Sequence, residues 1–158
     1  MLVKGFRESM YKRVISTVLL ILWMGVIFSF SAQPAAESSK LSGSVREVVV
    51  NALEKIFPSL FNEANADNDE EGFLTTLIRK TAHFSLYLIL GILAAWTLSS
   101  YKIEKRCCLY AFLFCVFYAI SDEIHQLFVQ GRAGKVADVF IDSIGSAVGI
   151  YLRRKIKK

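Results

Sequence analysis

Val14–Phe30, which reads VISTVLLILWMGVIFSF, is seventeen consecutive residues without a charge. As a helix rising 1.5 Å per residue it reaches about 26 Å, close to the ~30 Å hydrocarbon core of a bilayer. The run is longer than the about 7–15 apolar residues of a signal-peptide core, so it reads as a retained first span. Similar apolar stretches follow Thr81 and Arg106, and a fourth lies between Val136 and Leu152. The expected architecture is therefore all-α. A single membrane domain of residues 1–158 has four transmembrane helices, at about 14–30, 74–98, 107–121 and 136–152, with an external loop at 34–73.

The remaining composition fits this class. Of 158 residues, 54% are apolar and 21% charged, which excludes a disordered chain or a collagenous repeat. Cys107, Cys108 and Cys115 are an odd number in one apolar run, with no Cys-x-x-Cys pair, so they offer no disulfide framework and read as small apolar residues. Charge placement sets the orientation. Lys4, Arg7, Lys12 and Arg13 precede the first run; Lys102, Lys105 and Arg106 separate the second and third; Arg153, Arg154, Lys155, Lys157 and Lys158 close the chain. Between Pro34 and Phe73 there are eight acids against three bases, a local charge of 3 − 8 = −5. Basic loops stay cytoplasmic, so both termini are expected inside and the acidic segment outside. The net charge of +5 then records topology and leaflet anchoring, not nucleic-acid binding.

Within the external segment, Gln33–Lys40 reads as a polar loop. Val45, Val48, Val49, Ala52, Leu53, Ile56 and Phe57 then recur at spacings of three and four. That periodicity predicts an amphipathic helix from Ser44 to Phe57, with Ser44 and Glu47 as a capping box and Pro58 disturbing its end. It is too short to span and is expected on the outer membrane surface or over the bundle. Asn62–Gly72 reads as an acidic external loop.

Four spans of this orientation put the unusual polar residues at one level. Arg79, Lys80 and His83 start the second span. Asp122, Glu123, His125 and Gln126 end the third, and Asp138 and Asp142 lie early in the fourth. Helical spacing sets Lys80, His83, Tyr87 and Gly91 on one face, and Asp138, Asp142, Gly145 and Gly149 on another. Asp122, His125 and Gln126 also share a face, with Glu123 pointing aside. Gly145 and Gly149 would let a neighbouring helix approach closely. Ionised groups inside a bilayer are costly, so these residues are expected to line an outward-facing polar pocket. One reading is an ion-pair network, with Arg79, Lys80 and Arg132 neutralising Asp122, Asp138 and Asp142. A second is a site for an anionic head group held by Lys80, Arg132 and His83. A third is catalysis, with His83 or His125 as general base oriented by a carboxylate. Two histidines and four carboxylates also have the chemistry of a divalent-metal site, but no His-Glu-x-x-His spacing is present and no metal is assigned.

Lys80-Thr81-Ala82-His83-Phe84-Ser85-Leu86-Tyr87, followed by Leu90-Gly91, resembles one signature of the VanZ-like family. Ser121-Asp122-Glu123-Ile124-His125-Gln126-Leu127-Phe128, then Gly131-Arg132 and Asp138, resembles a second. Phe30-Ser31-Ala32-Gln33-Pro34 and the Ser38-Ser39 pair are similar to the segment after the family's first span. Asp142 stands where the family pattern has a polar residue, often Asn. The resemblance covers roughly residues 14–152. It implies a small integral membrane protein of the bacterial cell envelope, in a family named for an accessory protein linked to teicoplanin (glycopeptide) resistance. Combined with the pocket, it gives two sets of candidates. His83, Asp122, Glu123, His125 and Asp138 are candidate catalytic residues; Lys80, Tyr87, Gln126, Arg132 and Asp142 are candidate ligand-binding residues. The expected partner is a membrane lipid or cell-wall precursor. Neither a cofactor nor an oligomeric state follows from the sequence.

Overall fold

The computed structural model describes residues 2–56, 68–103 and 106–156, all of them in helices, turns or short connections. Five helices follow in order: α1 (Leu2–Ser31), α2 (Ala35–Ile56), α3 (Asn68–Ser100), α4 (Cys107–Gln126) and α5 (Val136–Ile156). Three of the described helices are long and apolar enough to cross a membrane, over Arg7–Ser31, Thr75–Ser100 and Cys107–Gln126. α5 is not among them, because Asp138, Asp142 and the basic run Arg153–Lys155 interrupt its apolar residues.

Beside Ile27, Tyr87, Leu90 and Ile150, the described helices bury mainly small residues and leave many large apolar ones outside. Ala94, Ala95, Ala111, Cys115 and Ala119 are buried, whereas Phe117 and Phe140 are 68% and 65% exposed. Such an inversion suits a lipid environment, where helices associate by close backbone packing and not by hiding apolar surface. α3 is central and touches each of the other four helices, α5 most extensively. Its contact with α5 depends on glycine. A Cβ on Gly91 would overlap the Ser146 carbonyl, one on Gly145 the Phe84 carbonyl, and one on Gly149 the Leu88 carbonyl. The close approach expected of Gly145 and Gly149 is thus made to α3. Hydrogen bonds to backbone carbonyls fix α1. Trp23 Nε1 donates to the Leu86 carbonyl at 2.9 Å, Tyr118 donates to that of Met24 at 2.7 Å, and Thr97 to that of Ser16 at 3.1 Å.

Several boundaries differ from the sequence expectation. α2 starts at Ala35, not Ser44, so the predicted loop at 33–40 is mostly helix. Ala35, Ala36 and Glu37 directly follow Pro34, whose carbonyl accepts the Ser38 amide at 3.1 Å, and Glu37 complements the helix N-terminus. The capping box does not form: Ser44 lies inside the helix and its hydroxyl donates to the Lys40 carbonyl at 3.1 Å. α2 turns the buried Ser38 and Ser42 inward and leaves Leu41, Val45 and Val48 exposed, Val48 at 69%. Of the predicted acidic loop, residues 68–72 fall within α3. Residues 62–67, and the expectations for Phe57 and Pro58, lie outside the described residues.

Candidate functional site

Helix ends build the site. The C-terminal end of α4, the start of α2, the early part of α3, the α4–α5 connection and the N-terminal half of α5 meet around a cavity of about 150 Å³. Arg79, Lys80 and His83 come from α3 and Gln126 from α4. Arg132 and Lys135 come from the α4–α5 connection, Asp138 and Asp142 from α5. Gly131, at φ 73°, turns that connection back over the cavity, and the Ala35 amide of α2 donates to the Gln130 carbonyl at 3.2 Å.

The rim is basic and its cations have unlike roles. Lys80 pairs with Asp138 at 3.4 Å, both side chains partly exposed. Arg132 bonds to carbonyls instead: Nε donates to Gln33 at 2.9 Å and Nη2 to Phe30 at 3.3 Å, so it ties the connection to the end of α1. Burial, reinforced by the nearby Arg79 charge, holds Arg132 below its usual pKa; arginine remains a cation at neutral pH all the same. The full ion-pair network that the sequence allowed is therefore not formed. Among the described residues, Asp122 and Asp142 have no Lys or Arg within ion-pair distance, and His83 Nδ1 lies 4.0 Å from Asp142 Oδ2.

Below the rim the polar groups are buried. Asp142 and Tyr87 are wholly inaccessible and Asp122 nearly so. Gln126 Nε2 donates to Ser31 Oγ at 3.0 Å and approaches Asp122 Oδ2 at 3.4 Å. Among the described residues no hydrogen-bond partner reaches Asp122 Oδ1, either Asp142 carboxylate oxygen, His83 Nδ1 or the Tyr87 hydroxyl.

Of the residues singled out from sequence, Lys80, His83, Gln126, Arg132, Asp138 and Asp142 line the cavity, with Asp122 and Tyr87 buried behind it. Two are placed otherwise. His125 stacks on Phe28 of α1, ring centroids 4.4 Å apart, and is not in the cavity wall. Glu123, expected to point aside, is likewise absent from the cavity wall, but it is buried, and its Oε2 accepts the Lys135 amide at 2.7 Å, one residue before α5. A carboxylate there satisfies a helix-end donor and complements the helix dipole. Sequence reasoning passed over Lys135 and the role of Ser31. Lys135 carried a usable signal, a cation directly before an apolar run. The Ser31–Gln126 contact joins residues 95 apart in sequence and carried none.

A second, apolar groove of about 660 Å³ runs between α4 and α5 past Phe112, Val116, Ile120, Val139 and Phe140. Lys135 lines both the groove and the polar cavity, and Glu123 lines the groove.

A family model described as VanZ/LLP1 matches residues 16–157. No curated protein and no solved structure matches the chain.

Proposed function

The chain belongs to the VanZ/LLP1 family, and from that premise we propose that it binds the anionic head group of an envelope lipid or lipid-linked cell-wall precursor at the outer leaflet. The observation that carries this reading is the junction at Lys135, where the basic-rimmed cavity meets an apolar groove. A phosphate or carboxylate head would accept hydrogen bonds from Arg79, Lys80 and Lys135, and an acyl or prenyl chain would lie along Phe112, Val116 and Val139.

In this reading α1, α3, α4 and α5 all cross the cell membrane, both termini are cytoplasmic, and residues 1–158 form one domain. Burial on α5 supports a fourth crossing despite its charges. Asp142 and Ser146 face the bundle, while Val136, Phe140 and Ile144 face outward. α2 then lies along the outer surface with Val45 and Val48 toward lipid, its first turn beside the cavity mouth. Glycopeptide resistance would follow if the bound molecule is the precursor that such antibiotics recognise.

Native mass spectrometry of gently extracted protein tests the reading. An anionic lipid should be retained by the unaltered chain and largely lost from the Arg79→Ala/Lys80→Ala double variant. Recovery of zwitterionic lipids alone, or equal retention by both proteins, would sink it. A second reading, a membrane-embedded transferase or hydrolase, draws on His83 Nδ1, Asp122 Oδ1 and the Asp142 carboxylate oxygens, which have no hydrogen-bond partner among the described residues. It expects His83→Ala or Asp122→Ala to abolish the envelope phenotype without lowering the melting temperature. A purely structural accessory role expects phenotype and melting temperature to fall together.

A further inference from the structure

We propose that His83, Asp122 and Asp142 form a binding site for one divalent metal ion, Mn2+ or Zn2+ in preference to Mg2+ or Ca2+. Each residue offers one ligand atom, and the three atoms lie within 4.8 Å of one another although they come from three different helices. Ligands about 2.1 Å from a common ion stand roughly 3.0–3.5 Å apart. The 4.0 Å between His83 Nδ1 and Asp142 Oδ2 therefore needs roughly 0.5–1.0 Å of side-chain closure, and a pair at the full 4.8 Å roughly 1.3–1.8 Å.

The state of these groups calls for a cation. Two carboxylates are buried side by side, and among the described residues Asp142 has both oxygens without a hydrogen-bond partner and Asp122 has one. Lys80 is engaged with Asp138 and Arg132 with the carbonyls of Gln33 and Phe30. A proton on His83 Nδ1 would not repair this, because 4.0 Å is too long for a hydrogen bond and one positive charge leaves a buried negative one. One divalent ion would neutralise both carboxylates and use the imidazole lone pair at once. The Tyr87 hydroxyl supplies a second, independent sign of a missing ligand. It is wholly buried one turn along α3 from His83, has no partner among the described residues, and lies within electrostatic reach of Asp122 and Asp142.

The donor set selects the ion. Two carboxylates and one imidazole suit Mn2+ and Zn2+, whereas Mg2+ and Ca2+ favour all-oxygen surroundings. Gln126, held by Ser31 and close to Asp122 Oδ2, is placed to orient that ligand from behind. His83 and Asp142 are in the cavity wall, so the open coordination position faces the cavity. That a head-group oxygen completes the shell there rests on the lipid reading; the metal site itself does not.

The test uses the full chain purified in detergent. Elemental analysis, then EDTA treatment and titration with Mn2+, Zn2+ or Mg2+ followed by thermal unfolding, should give one Mn2+ or Zn2+ per chain and a saturable rise in melting temperature. Mg2+ should give a much smaller rise. Asp142→Asn should lose the bound metal and the rise, yet melt higher than metal-free wild type, because a buried unpaired charge is gone. Asp138→Asn, whose oxygen faces Lys80, should keep both. Bound Mn2+ should show nitrogen hyperfine coupling that His83→Gln removes, a readout that does not require Asp142→Asn to fold. The absence of a metal response in wild type would mean that the carboxylates share a proton, and would overturn the site; so would an unchanged response in Asp142→Asn. Lipid retention measured on the same samples separates failure here from failure of the head-group reading.

Discussion

Glu123 and His125 stand two residues apart, and their surroundings give them different work. The Glu123 carboxylate holds the Lys135 amide at the start of α5. Glu123→Ala should cost about 1–2 kcal/mol in denaturant unfolding, with Glu123→Gln losing less, since the amide oxygen still accepts the bond. A loss equal for both variants would show that charge alone matters. His125 lies flat on Phe28, so His125→Phe should preserve the stack and the melting temperature, whereas His125→Ala should lower it. Envelope phenotype measured in His125→Phe then separates the ring from its nitrogens; retention is expected, because the cavity wall does not include this residue. Residue types and the clustering of several of them around one cavity were legible from the sequence. Which of them open to the cavity was not, because a turn of a few tens of degrees about a helix axis moves a side chain from the cavity wall to a neighbouring helix.

At the scale of elements, α3 and α5 meet backbone to backbone. Gly149→Ala places a methyl group against the Leu88 carbonyl, and Gly91→Ala places one against Ser146. Each should destabilise by about 1–3 kcal/mol and widen the α3–α5 spacing that brings His83 to Asp142. Gly25→Ala, in open space on α1, is the control and should have no such effect. A melting temperature unchanged in Gly149→Ala would contradict this close contact. The Trp23 bond to the Leu86 carbonyl is worth less: Trp23→Phe should cost about 0.6 kcal/mol, typical of a side-chain hydrogen bond between membrane helices. The apolar runs announced α1, α3 and α4 because length and hydropathy are local properties. α2 was misjudged at its start, since Ser38, Ser39 and Ser42 look like loop residues until their packing side is known.

For the whole molecule, orientation is the measurable quantity. In a variant with Cys107, Cys108 and Cys115 replaced, a cysteine at the exposed Ser39 should react with a membrane-impermeant thiol reagent in intact cells, and one at the exposed Tyr101 should not. The reverse pattern would invert the proposed topology and move the cavity to the cytoplasmic side. The sequence by itself determined that the chain is helical and membrane-bound, and which family it belongs to, because apolar run length, loop charge and two signature segments are written along the chain. It also marked the polar residues worth attention. Only the tertiary structure decided their partnerships: Lys80 with Asp138, Arg132 with α1 carbonyls, Glu123 with the start of α5, and Asp122 and Asp142 beside His83 with no Lys or Arg paired to them among the described residues. Those partnerships join residues up to 102 apart in sequence (Arg132 and Phe30), and helix rotation and spacing, fixed by glycine contacts, have no signature at such a range.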